Sequence, residues 1–134
     1  MRRTGVALLV LAFATSTPAA PDPTHPGKLA VGVTTVDAVD TSRGNRTLPT
    51  EIWYPARHAG RDAAPRPLSY PLILIAHGLC GSRLFYDYLA PHLASYGFVI
   101  AAPDFTGATR AECDAGQLTL RLDDLPLDLS FVCR

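Results

Sequence analysis

Tyr70 to Gly81 reads YPLILIAHGLCG, and this stretch decides the fold. Leu72-Ile73-Leu74-Ile75-Ala76 is apolar at every position and is bounded by Pro71 and by His77-Gly78. A continuous β-branched and leucine run of this length predicts a strand buried on both faces, in the middle of a parallel α/β sheet. The turn after it then falls at the strand's carboxyl end, where open α/β sheets place their ligands. Glycine at 78 lets a bound group come close to the backbone. The N–H groups just beyond it are placed to face a developing negative charge.

Downstream, Ser82 is positioned to N-cap a helix. Leu84, Phe85, Tyr88, Leu89, Leu93 and Tyr96 share one helical face, Pro91 predicts a kink or restart, and Gly97 closes the helix. Phe98 to Ala102 predicts a second short buried strand, and Pro103-Asp104 turns the chain outward. Phe105 to Gly116 reads as a polar loop. Leu120 to Arg134 carries a weaker helical pattern through Leu125, Leu129 and Val132, with Asp124 capping its start ahead of Pro126.

Upstream, Leu29 to Asp40 predicts a strand rich in Val and Thr. Thr41 to Asn45 is a turn, its Gly44 and Asn45 able to take positive φ. Leu48, Thr50, Ile52 and Tyr54 alternate with Pro49, Glu51 and Trp53, a period of two that predicts a half-exposed strand, and Pro49 points to its start or to a sheet edge. The two strands form an antiparallel hairpin at one side of the sheet. Asn45-Arg46-Thr47 fits a glycosylation sequon, but a hairpin turn accounts for it. Ala56 to Ser69, with Gly60, Pro65 and Pro67, is a surface loop. Met1-Arg2-Arg3, the apolar run from Gly5 to Ala14 and the small residues to Ala20 make residues 1–20 a secretory signal peptide. The apolar run is too short for a membrane span. Residues 21–28 follow as an extended tail, and 29–134 as the folded domain.

The 134 residues fit one domain, and 48% hydrophobic content excludes general disorder. Twelve basic and twelve acidic residues balance, so nothing points to nucleic acid. Eleven of the twelve basic residues are Arg, which a coding bias explains as well as a function. The four His and three Cys show no metal spacing and no Cys-x-x-Cys, so no metal is expected. His25, His58 and His92 fall on the tail, a loop and a helix, as solvated residues.

HGLCGSR, followed by LAPHLASYGFVIAAPDFTG, resembles the N-terminal part of a secreted bacterial α/β-hydrolase. The similarity runs from about Val31 to the C-terminus and is greatest to platelet-activating-factor acetylhydrolase-like and dienelactone-hydrolase-like esterases, with polyester hydrolases and chlorophyllases more distant. His77-Gly78-Leu79 and Ala102-Pro103-Asp104 carry it. It implies an α/β fold: the N-terminal half of an α/β-hydrolase sheet, an antiparallel hairpin followed by parallel strands with flanking helices, truncated after the second helix. It also implies a cofactor-free carboxylic-ester hydrolase acting on lipid, short-chain or polyester esters. On this pattern Leu79 donates one oxyanion-hole N–H, while His77 and Gly78 support the loop.

Such enzymes place the nucleophile in G-x-S-x-G and order the triad Ser, acid, His. Ser16, Ser42, Ser69, Ser82, Ser95 and Ser130 all lack that frame; Ser95, in Leu93-Ala94-Ser95-Tyr96-Gly97, comes nearest. The catalytic residues are therefore none of those present, and a catalytically inactive hydrolase-like domain is the alternative function. Gly78-Leu79-Cys80-Gly81-Ser82 is similar to the cysteine elbow of dienelactone hydrolases but is displaced in the fold and lacks the final Gly. Cys80 and Cys113 follow strands expected to be neighbours and can pair in an exported protein, leaving Cys133 odd. Asp104 is a turn-capping carboxylate or a substrate contact. The expected setting is secreted or periplasmic, with an ester substrate, no nucleic acid and no stable membrane anchor. Self-association is expected through an uncovered sheet edge at the Phe98 strand.

Overall fold

A computed structural model describes residues 22–134. The proposed signal peptide lies outside the described residues. Strand β1 (Val31–Asp40) and strand β2 (Arg46–Pro55) pair antiparallel over their whole length, from Val31 opposite Pro55 to Asp40 opposite Arg46. Between them a 3-10 turn, Thr41–Arg43, leads into Gly44 and Asn45, both at positive φ. The Asp40 carboxylate accepts from the Ser42 N–H and hydroxyl and from Arg43 Nε, which satisfies donors that the tight turn would otherwise leave free. Inside the predicted surface loop, the two-residue strand β3 (Gly60–Arg61) adds parallel to β1.

Strand β4 (Leu72–Leu74) and strand β5 (Val99–Pro103) complete a five-stranded mixed sheet of order β3-β1-β2-β5-β4, with β4 parallel and β2 antiparallel to β5. Two expectations are corrected here. The apolar run is not central: β4 is an edge strand, and Leu72 is 46% exposed. The Phe98 strand is not an edge: β5 lies between β2 and β4 and is buried from Ile100 to Pro103. An apolar run reports that faces need cover, but not which strand takes the next hydrogen-bonding position. The β4-to-β5 crossover sets that by laying β5 beside β4, and the hairpin then takes the other side of β5.

β2 is likewise interior, and Pro49 marks neither its start nor an outer edge. The Pro49 carbonyl accepts from Asp104 N–H, just past the end of β5. Both backbone groups of a strand residue face the same neighbour, so the missing proline N–H faces the point where β5 turns away.

The helix predicted from Ser82 to Tyr96 shrinks to α1 (Ala90–Ser95), preceded by successive turns. Pro91 is the reason: it occupies the helix's first turn, where its missing N–H costs nothing, and the chain restarts there. Gly97, at φ +97, closes the helix, its N–H donating to Ala94. Ser82 caps no helix; its hydroxyl accepts locally from Leu84 N–H. The tail is pinned rather than loose: Tyr96 Oη donates towards the carbonyls of Asp22 and His25, and Gly27 N–H donates to Ser95 Oγ.

The loop after β5 contains an unpredicted helix, α2 (Arg110–Asp114), and the last element is α3 (Asp124–Val132). Asp124 lies inside the first turn of α3 rather than capping it; the N-cap position is Asp123, without a side-chain bond. The core joins Trp53 of β2 and Ile100 and Ala102 of β5 to Ala90 and Ala94 of α1. Alternation along β2 sends Arg46 to the other face, where it meets Asp128 of α3. Helices therefore cover both faces of the sheet.

Candidate functional site

The turn from His77 to Arg83 leaves the end of the β4 segment and is tied at several points to residues 104–113, beyond the end of β5. His77 Nε2 accepts from Phe105 N–H at 3.1 Å, so the ring is neutral with its proton on Nδ1, which donates to the Gly78 carbonyl at 2.8 Å. Both nitrogens are engaged within the loop, which leaves neither for general-base work. The ring also packs on buried Phe105, centroids 5.0 Å apart.

Cys80 N–H donates to Ala108 O and Arg110 N–H to Gly81 O, which makes Gly81 and Thr109 an isolated parallel bridge. Cys80 has φ +59, a left-handed conformation that costs a non-glycine residue roughly 1–2 kcal/mol. The surrounding ties hold it there: Sγ is joined to Cys113 in a disulfide. With its sulfur so bonded, Cys80 has no thiolate to offer as a nucleophile. The glycine the turn sterically requires is Gly81, whose Cβ would sit 2.8 Å from His77 Cβ, whereas a Cβ on Gly78 would meet open space. The Leu79 N–H donates to no acceptor among the described residues, and Leu79 is 63% exposed.

Asp104 neither caps its own turn nor stands free. Its Oδ1 accepts from Arg83 N–H at 2.5 Å, and its Oδ2 pairs with Arg83 Nη1. Arg83 Nε is buried without a hydrogen bond and lies 3.7 Å from Glu51 Oε2. Glu51, on a strand expected to be half-exposed, is only 2% exposed. It accepts from Arg61 Nη2 and Thr35 Oγ1, both at 2.5 Å.

Glu112 organises the segment on which the turn rests. Its carboxylate accepts from the Gly107 N–H and from the Thr109 N–H and hydroxyl, while the Thr109 hydroxyl accepts from Glu112 N–H in a capping box. Burial pushes this carboxyl up, but the Thr109 hydroxyl and the backbone N–H groups outweigh it and hold it below its ordinary value. The signal for this unpredicted helix was present in the sequence as Thr109-Arg110-Ala111-Glu112. Arg83 and Glu51 had no such signal, because their partners come from distant strands.

Ser95 is buried, with its hydroxyl donating to His92 O and accepting from Gly27 N–H. No hydrogen bond joins a serine hydroxyl to a histidine ring among the described residues. His25 and His58 lie at the surface, and His92 packs its ring against Tyr96. Among the described residues no cluster of His, Cys, Asp and Glu could hold a metal ion, and no helix is long and apolar enough to cross a membrane.

The family model described as platelet-activating factor acetylhydrolase, isoform II, matches residues 46–112, from the start of β2 to Glu112. Among solved structures, a ferulic acid esterase from Streptomyces cinnamoneus is similar at TM-score 0.60 and 25% identity, over 82% of this chain and 47% of its own. The chain thus spans about half the length of that esterase. No curated protein matches it. The matched residues make up half of the sequence and contain β2, the His77–Arg83 turn and most of the segment that supports it, and the chain belongs to the platelet-activating factor acetylhydrolase isoform II family of α/β-hydrolase esterases.

Proposed function

We propose that this chain serves carboxylic-ester hydrolysis through a serine acyl-enzyme, on lipid or other short-chain or polyester esters, and that its turn supplies the first oxyanion-hole donor, Leu79 N–H. The observation that carries this reading is that donor: it is unpaired beside a neutral His77 and is held in a turn fixed on several sides. A preorganised N–H is worth about 10²–10³ in rate when aimed at a developing oxyanion. In this reading none of the residues present is assigned as second donor, nucleophile, acid or base, and the chain alone is proposed to be inactive. Purified chain should not hydrolyse p-nitrophenyl acetate or butyrate above background. The oxyanion role is tested in a chimera: residues 72–113 replace the corresponding segment of the ferulic acid esterase. Hydrolysis should survive the exchange and fall by about 10²-fold or more on Leu79→Pro, which removes the N–H. An active chimera indifferent to Leu79→Pro would overturn the assignment.

Export is proposed from Arg2, Arg3 and the apolar run to Ala14, and a disulfide suits an oxidising compartment. N-terminal sequencing of secreted protein should begin near Pro21. Self-association is proposed through the free edge of β4, where Leu72 is exposed. Light scattering should show species above monomer mass, reduced by Leu72→Lys; a monodisperse monomer would contradict it.

A further inference from the structure

We infer that Arg61, Glu51, Arg83 and Asp104 form one charged strut that holds the oxyanion turn in register against the sheet, and that Arg83 is the positioning residue for the Leu79 N–H. This rests on the oxyanion reading of Leu79 given above. The charges alternate along the row. Arg61 on β3 meets Glu51 on β2, Glu51 faces Arg83 on the turn, and Arg83 meets Asp104 at the exit of β5. The row thus connects two strands and the end of a third to the turn.

A surface ion pair would contribute little; in this row the outer Arg61 side chain is 55% exposed, but the carboxylates it leads to are not. Glu51 is buried and Asp104 nearly so, at 2% and 13% side-chain exposure. A buried carboxylate needs its partners, and moving one partner exposes the other to an unpaired charge. Asp104 takes both a backbone and a side-chain donor from the same residue, Arg83, and so fixes the position of that residue's backbone as well as its guanidinium. Four residues earlier in the chain is Leu79. Between them Cys80 and Gly81 are tied to Ala108 and Arg110, so Arg83 and these ties together set the path of the turn on the carboxyl side of Leu79. Arg83 Nε, buried, unbonded and 3.7 Å from Glu51, is the joint through which the sheet end of the row bears on the turn.

The test uses isotope-labelled full-length chain, with amide NMR and hydrogen exchange. In Arg83→Ala, the Leu79 cross-peak should move and the Cys80 and Arg83 amides should exchange about tenfold faster or more, the loss expected for a charge-assisted bond. Leu129 amides in α3 should be unchanged. Glu51→Gln, which keeps the acceptor and removes the charge, should move the same peaks in the same direction. Arg83→Lys, which keeps the charge but not the fork, should fall between wild type and Ala. If Arg83→Ala does not fold, the other two variants carry the test. A Leu79 peak that stays in place, or moves only when α3 loosens with it, would overturn the strut. A response to Arg83→Ala without one to Glu51→Gln would also overturn it, by reducing it to the Arg83–Asp104 pair. Failure of the oxyanion reading shows up separately, as an active chimera indifferent to Leu79→Pro.

Discussion

Two buried carboxylates lie on opposite sides of the sheet, and they are held differently. Asp128 of α3 is fully buried and closed in: Arg46 donates to both of its oxygens through Nε and to Oδ2 through Nη2, and Arg43 Nη1 lies 2.8 Å from Oδ1. The Arg43 contact is ionic, without hydrogen-bond alignment. Glu51 is as well buried, but its third partner, Arg83, is 3.7 Å away and belongs to a turn. The first cluster fastens α3 to the hairpin and, through Arg46 Nη2, to the Thr106 carbonyl beyond β5, without a bond to the His77–Arg83 turn. The second ends at Arg83, in the same turn as the unpaired Leu79 N–H. A closed clamp serves stability, whereas a charged row that terminates at a loop can also set where that loop sits.

The largest effect should come from opening the clamp. Asp128→Ala leaves two guanidiniums beside a buried hole, and removing one partner of a buried ion pair costs about 3–5 kcal/mol. Urea unfolding should show it as a lower midpoint with no local signature at Leu79. A loss under about 1 kcal/mol would mean the clamp is solvated after all.

The disulfide comes next and sharpens the contrast, because it belongs to the turn. It closes a loop of sequence separation 33, which corresponds to about 3–4 kcal/mol in the chain-entropy view. Replacing Cys80 and Cys113 together by Ser should lower stability by that order and also broaden the Leu79 signal, as Asp128→Ala should not. Stability lost with the turn unaffected would separate the two roles assigned to this bond.

Smaller again is the cap beneath the turn. Thr109→Ala removes the hydroxyl that Glu112 both donates to and accepts from, at a cost of about 1 kcal/mol. A melt displaced by a few degrees, with faster exchange at Gly107, is the expected record.

The smallest effect is the pH response of Glu112. Its folded pKa is held below the ordinary 4.5. Its contribution is therefore present above the unfolded value and is lost as pH falls through the folded one. Glu112→Gln should lower stability at neutral pH, where that contribution is fully present, and flatten the acid limb below about pH 4.5, so that the variant and wild-type curves converge there. An unchanged acid limb would place the acid-sensitive carboxylate elsewhere.

The sequence by itself determined the local elements. The strand read from the alternation of Leu48 to Tyr54, the turn at Gly44-Asn45, the restart at Pro91 and the helix stop at Gly97 each depend on neighbours a few residues apart, and all were legible. The HGLCGSR and APD stretches were enough to indicate the esterase family that the family match then established. Tertiary structure alone decided which strand stands at the edge, since an apolar run such as Leu72–Ala76 records the need for cover and not the order of pairing. It also decided that β2, read as half-exposed, has buried residues on both faces, Glu51 among them, because Arg61 and Arg83 arrive from other segments to neutralise it. Charge in the interior is set by partners that are distant in sequence, and periodicity along one strand carries no information about them.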